Sequence, residues 1–279
     1  METLKHLYNW QKDLPETETM PALFIGHGSP MNAIEDNIFV QNWRKLAQNI
    51  PKPTAILVIS AHWETQGTKV TAMEKPRTIH DFGGFPRALF EVQYPAKGDP
   101  ELAAYIKEAL KHFAVVELDQ LWGLDHGNWS VVKHLYPNAD IPVLQLSLDY
   151  SKPAEYHYNL AKELQILRKK GVLIIGSGNM VHNLRMVSWE NMLDPGFGYD
   201  WALDINDKMK QYISEGNHLA LINYQNFGIE GKYAIPTPEH YMPLIYTLAL
   251  KDKNDKVSFL NDIPIGGSLT MTSVVIDSK

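Results

Sequence analysis

"PALFIGHGSPMN", residues 21–32, opens on a short apolar run at 22–25 and breaks at Gly26-His27-Gly28-Ser29-Pro30. Apolar residues on consecutive positions suit a strand buried on both faces, the kind found in parallel sheets. Similar runs recur at 54–61 ("TAILVISA"), 141–148 ("IPVLQLSL"), 171–176 ("GVLIIG") and 269–276 ("LTMTSVVI"). Amphipathic helical patterns lie between them, at 37–49, 99–113, 128–136, 153–170, 201–215 and 239–250. Asp99-Pro100 opens the second of these with an N-cap acid and a proline at the first helical position. Strands alternating with helices predict a three-layer α/β/α sandwich with a mainly parallel, mixed central sheet. The final run follows "PIGGS" and is expected to join antiparallel.

The whole chain, 1–279, reads as a single catalytic domain with a core over about 20–276 and an N-terminal extension over 1–19. Loop 63–98 and the stretch 186–200 are candidate lids over one face. With 44% apolar and 21% charged residues, the composition is globular rather than disordered. No stretch is long and apolar enough for a membrane span, and the acidic N-terminus does not read as a signal peptide. The expectation is a soluble cytoplasmic protein, a monomer or small homo-oligomer. A net charge of −6 with scattered cations argues against a nucleic-acid surface. The absence of cysteine excludes disulfides, thiolate metal sites and cysteine nucleophiles.

Three of the apolar runs end on histidine: "LFIGH" on His27, "ILVISAH" on His62 and, a turn further, "VLIIGSGNMVH" on His182. Function in open α/β sheets gathers at the carboxyl ends of strands, so the three are candidate site residues. Each also has a plainer reading: a tight turn for His27, a hydrogen-bonded core position for His62, a helix cap for His182. In "PTPEHYMPL", Thr237 reads as an N-cap, with Pro238, Glu239 and His240 as the first three helical residues. There Glu239 complements the helix dipole, whereas a cationic His240 is disfavoured and a neutral, metal-bound one is not. His240 is therefore preferred to Glu239 as a ligand, with Glu239 the alternative. His126, in "LDHGNW", precedes a helix capped at or near Asn128 and reads as a site residue or a backbone-bonded loop residue. Neutral imidazoles bind divalent transition metals, and three of them leave positions open for catalysis. Spacing alone selects neither metal nor reaction. "GSGNMV" places Val181 where a dinucleotide fingerprint needs its third glycine, which argues against a phosphate loop.

"PALFIGHGSPMN", "SAHWET", "TIHDFGGFP", "LDHGNW", "IPVLQLSLD", "GSGNMVHNLR" and "PTPEHYMPL" together resemble the class III (LigB-like) extradiol ring-cleavage dioxygenases, in particular the 4,5-DOPA extradiol branch. The resemblance runs over roughly 20–276. It implies a phosphorylase/hydrolase-like α/β fold and a non-haem ferrous site that Zn²⁺ also occupies in some members. It implies a catechol such as L-DOPA and O₂ as substrates, with a ring-opened semialdehyde as product. It makes His27 and His62 metal ligands, His182 the acid–base residue and His126 a substrate-side histidine. The third ligand is His240 in this branch, while the wider superfamily uses a glutamate, which keeps Glu239 in view. Ser29, Trp63 and Tyr241 flank these positions as candidate substrate contacts; their plainer readings are turn, core and helix packing. The rival enzyme reading is a zinc-dependent hydrolase on the same histidines. A non-enzymatic metal-binding protein is a further rival, and it leaves His182 without a task.

Overall fold

Side chains alternate across the central strands and so divide the core into two apolar layers. The structure, a computed structural model, describes residues 17–192 and 194–278. The expected N-terminal extension lies outside these residues up to position 16. The strands are β1 (Ala22–Gly26), β2 (Ala55–Thr65), β3 (Thr68–Thr71), β4 (Val116–Asp119), β5 (Val143–Asp149), β6 (Val172–Gly178), β7 (Lys256–Leu260), β8 (Pro264–Ile265), β9 (Leu269–Thr270) and β10 (Ser273–Asp277). The helices are α1 (Ile38–Gln48), α2 (Arg87–Phe90), α3 (Pro100–Leu110), α4 (His126–Leu135), α5 (Ala154–Glu163), α6 (Asp200–Ser214), α7 (His218–Ile222), α8 (Gly228–Ala234) and α9 (Met242–Ala249). Eight strands form one sheet in the order β4-β3-β5-β2-β6-β1-β10-β7. The inner four, β5, β2, β6 and β1, are mutually parallel. The last run joins antiparallel to β1 through β10, as its sequence predicts.

Leu23 and Ile25 of β1, Ile56 and Val58 of β2, and Leu173 and Ile175 of β6 face one layer, with Val40 and Trp43 of α1 and Trp129 of α4. Phe24, Leu57, Ile59 and Ile174 face the other, with Ile106 of α3, Leu160 of α5 and Leu244 of α9. Helices on both faces make the expected three-layer sandwich.

Several boundaries differ from the sequence reading. Asp125, not Asn128, caps α4: its side chain accepts the Asn128 N–H, and His126 becomes the first helical residue. The pattern at 153–170 divides into α5 and a 3₁₀ segment, Gln165–Lys170, ended by Gly171 in the left-handed conformation. The run at 269–276 divides between β9 and β10. The helix expected from 239 begins at Met242 with Pro243 in its first turn. Thr237, Glu239 and His240 lie in the preceding turn, where the Met242 N–H donates to the Pro238 carbonyl. The Thr237 hydroxyl caps no helix; it donates to Glu239 Oε1 at 2.8 Å.

Away from the carboxyl ends of the strands, Arg168 is braced in a buried site. It donates to the carbonyls of Met20 and Leu250 and pairs with Asp255 at 2.6 Å, with both side chains almost fully enclosed. Removing one partner of a buried pair leaves an uncompensated charge. Asp255→Ala is therefore expected to lower the unfolding free energy by about 3–5 kcal/mol, read from urea unfolding at neutral pH.

Candidate metal centre

The paired registers of β1, β6 and β2 bring Gly26 beside Gly178 and Ser60 beside Ser177, so the ends of β1 and β6 lie level with the point where β2 leaves β6. His27 leaves the end of β1 with its N–H bonded to the Gly178 carbonyl. The flanking glycines answer demands of packing and backbone conformation. A Cβ on Gly26 would stand 2.5 Å from the Met271 carbonyl oxygen, and Gly28 has φ +60°. His62 lies inside β2, which continues to Thr65 through a register shift between Ile59 and Glu64. Such irregularities bend a strand and re-aim its side chains. The third element is the turn before α9. The His240 carbonyl accepts the Asn179 N–H at the end of β6 and sits where a Cβ of residue 178 would be, 2.1 Å away, so only glycine admits this approach.

The donor nitrogens of His27, His62 and His240 converge to within 4.8 Å of one another. Nε2 of His27 and Nε2 of His62 are 3.2 Å apart. Two of the tautomers follow from hydrogen bonding. The Ser177 hydroxyl spends its proton on the Gly127 carbonyl, so it accepts from His27 Nδ1–H at 2.9 Å, and His27 Nε2 carries a lone pair. Glu239 Oε1 faces His240 Nδ1 at 3.2 Å, and a carboxylate oxygen only accepts, which leaves His240 Nε2 free in the same way. Glu239 belongs instead to a separate group with His182 and His240. Its carboxylate thus supports the His240 ring, as the partners of metal-bound histidines commonly do.

Burial holds His27 and His240 well below the ordinary imidazole range, and the neighbouring histidines push both further down. Burial lowers His62 to about 3, with Asp81 partly opposing. A set of neutral, converging imidazoles fits a divalent transition metal. The remaining histidines of the constellation stack around it. The His182 ring lies parallel to that of His240, 3.6 Å between centroids, and burial lowers it to about 4. His126 lies 3.8 Å from His62, ring to ring.

In the metal-free protein these shifts tie stability to pH. The unfolded chain takes up protons near 6.5 that the folded histidines refuse, so the unfolded state binds more protons and stability falls as pH falls. For His182, and for the buried core residue His157, which is also lowered to about 4, the window runs from 6.5 down to 4. Each titrating histidine is expected to add about 1.4 kcal/mol per pH unit within it. Urea midpoints of metal-free protein should drop steeply between about pH 7 and 5; a flat profile contradicts a neutral cluster.

Of the three sequence-derived substrate contacts, two are enclosed by packing and the third caps a turn. Tyr241 is enclosed, with its hydroxyl donating to the Leu221 carbonyl at 3.0 Å, and so packs beneath the turn. Trp63 follows His62 along β2 and is buried in a stack on Trp122, with rings 3° from parallel. Ser29 caps the 3₁₀ turn Pro30–Ala33, its side chain accepting the Met31 N–H. These are the packing, core and turn roles. Two residues that touch the cluster received little weight in the sequence. Asp81 reaches His126 and His62 from loop 78–85, and Ser177 orients His27. A serine between two glycines at the end of an apolar strand was a usable signal; the long-range Asp81 contact had none.

An α/β sandwich that gathers neutral histidines at the carboxyl ends of its central strands defines a catalytic metal centre rather than a closed structural one. The family model described as the catalytic LigB subunit of aromatic ring-opening dioxygenase matches residues 21–265. A 4,5-DOPA dioxygenase extradiol of Escherichia coli K12 is 46% identical over 95% of this chain and 98% of its own length. One of Beta vulgaris is 36% identical over 92% and 97%. A crystal structure of an uncharacterized Escherichia coli K12 protein superposes with a TM-score of 0.79 at 43% identity, covering 92% of this chain and 99% of the other. The chain belongs to the LigB family and is an extradiol ring-cleavage dioxygenase. LigB dioxygenases depend on a metal, and the described residues include a three-histidine group able to hold one. The hydrolase alternative finds no support among these relatives. No helix among the described residues is long and apolar enough to cross a membrane.

Proposed function

We propose that the chain opens the ring of a catechol such as L-DOPA with O₂, next to its two hydroxyls, giving a semialdehyde, and that it does so in the cytoplasm as a single catalytic domain. The observation that carries this reading is the convergence of His27, His62 and His240, with His182 and His126 against two of the three rings. His27, His62 and His240 are the metal ligands, with Glu239 supporting His240. When bound there, ferrous iron supplies the redox capacity for a reaction between dioxygen and an aromatic ring, which zinc on the same donors lacks. His182, kept neutral by burial, takes a proton from a substrate hydroxyl and later returns it to product. His126 meets the substrate from the opposite flank, with Phe82 edge-on to its ring at 5.5 Å closing that side.

The test is anaerobic reconstitution of metal-free protein with Fe²⁺, addition of L-DOPA, then admission of air. Oxygen uptake with a yellow product is expected. No uptake across a panel of catechols would sink the reading.

A further inference from the structure

Asp81 spends both carboxylate oxygens on one residue. Oδ1 accepts the backbone N–H of His126 at 2.9 Å, and Oδ2 faces its ring Nδ1 at 2.9 Å. The hydrogen bond from His126 keeps the Asp81 carboxyl below its ordinary range, although burial opposes this. A carboxylate oxygen only accepts, so Nδ1 carries the ring proton and Nε2, across the ring, keeps its lone pair. Among the described residues no protein group hydrogen-bonds to Nε2. His126 is also the first residue of α4, and the Asp125 cap, bonded to Ser60 of β2 and Gln145 of β5, fixes its backbone. Ring and backbone are thus held from two sides, and one ring nitrogen is left for a ligand.

We infer that Asp81 is a positioning residue that sets the tautomer of His126, so that Nε2 accepts the hydrogen bond of a substrate hydroxyl. The inference rests on the ring-cleavage reading and adds to it which nitrogen meets the substrate and what turns it there. Asp81 lies 3.6 Å from Nδ1 of His62, beyond hydrogen-bonding distance, so the primary effect falls on His126.

Asp81→Asn keeps size and one acceptor. Its amide oxygen still takes the backbone N–H, while its NH₂ group faces the ring and requires a lone pair on Nδ1. The His126 proton then moves to Nε2. Nitrogen NMR of metal-free, ¹⁵N-histidine-labelled protein reads this directly, with His126→Ala used to assign the resonance. The expected spectra show Nδ1 protonated in the parent and Nε2 protonated in Asp81→Asn. With iron and catechol, kcat/KM of Asp81→Asn is expected to fall about 100-fold. In a His126→Ala background the same change should add less than about twofold, because both act through one ring. A proton on Nε2 in the parent, an unchanged tautomer in the variant, or losses that multiply in the double variant would each overturn the assignment. If the parent cleaves no catechol, the ring-cleavage reading fails separately, and the spectra still decide what Asp81 does.

Discussion

His62→Ala is expected to lose bound metal and ring cleavage together, and His27→Ala and His240→Ala should do the same. Each removes one of three converging nitrogens, and the two that remain hold a divalent ion poorly. The loss should exceed the roughly 10–100-fold that removing a ligand's supporting partner costs. Ser177→Ala provides that milder comparison: it removes the acceptor for His27 Nδ1–H, together with the hydroxyl's own bond to the Gly127 carbonyl, and leaves all three donor nitrogens. Glu239→Gln is its counterpart on the other side, leaving the His240 ring in place with a weaker support. Metal content after dialysis against a known Fe²⁺ or Zn²⁺ concentration measures both sets. Metal retained by His240→Ala but lost by Glu239→Gln contradicts the choice of third ligand.

His182→Ala is expected to keep its metal and lose kcat by about 10²–10⁴-fold, the usual contribution of a positioned acid–base group. The His182 ring lies flat on His240 and is not one of the three histidines that converge, so its removal leaves all three donors. Burial keeps it neutral at physiological pH, the state in which it takes a proton. Metal analysis beside steady-state kinetics separates the outcomes. Loss of metal, or a kcat within about tenfold of the parent, would contradict the acid–base role.

The sheet and the constellation were legible because their signals are local. Consecutive apolar residues marked β1, β5 and β6, and a histidine after an apolar run marked His27, His62 and His182. What escaped depends on contacts between distant segments. The edge strands β4 ("VELD") and β7 ("KVSFL"), and β3 ("TKVT") beside β4, are short and partly polar, and only their neighbours make them strands. β2 runs past His62 because its irregular end pairs with β5.

The turn before α9 shows a local signal overruled. "TPEH" carries every mark of a helix start, yet packing of the His240 carbonyl into the space left by Gly178 delays the helix to Met242. The preference for His240 therefore rested on a helical position that it does not hold, and its present support is its convergence with His27 and His62 and the hydrogen bond that occupies Glu239. Tyr241 and Trp63 are adjacent to site residues in the chain, but adjacency is not contact. The neighbour of a strand or turn residue commonly faces another layer, and both of these side chains are buried.

The most direct test is isotopic. Iron-reconstituted protein is given a catechol under ¹⁸O₂, and the ring-opened product is weighed by mass spectrometry. One ¹⁸O in the new carboxylate, and a second in the aldehyde when it is reduced to the alcohol at once, before exchange with water, is the expected result. A ring-opened product whose new carboxylate carries no atom from dioxygen, or turnover that consumes no oxygen, would contradict ring cleavage at this histidine site.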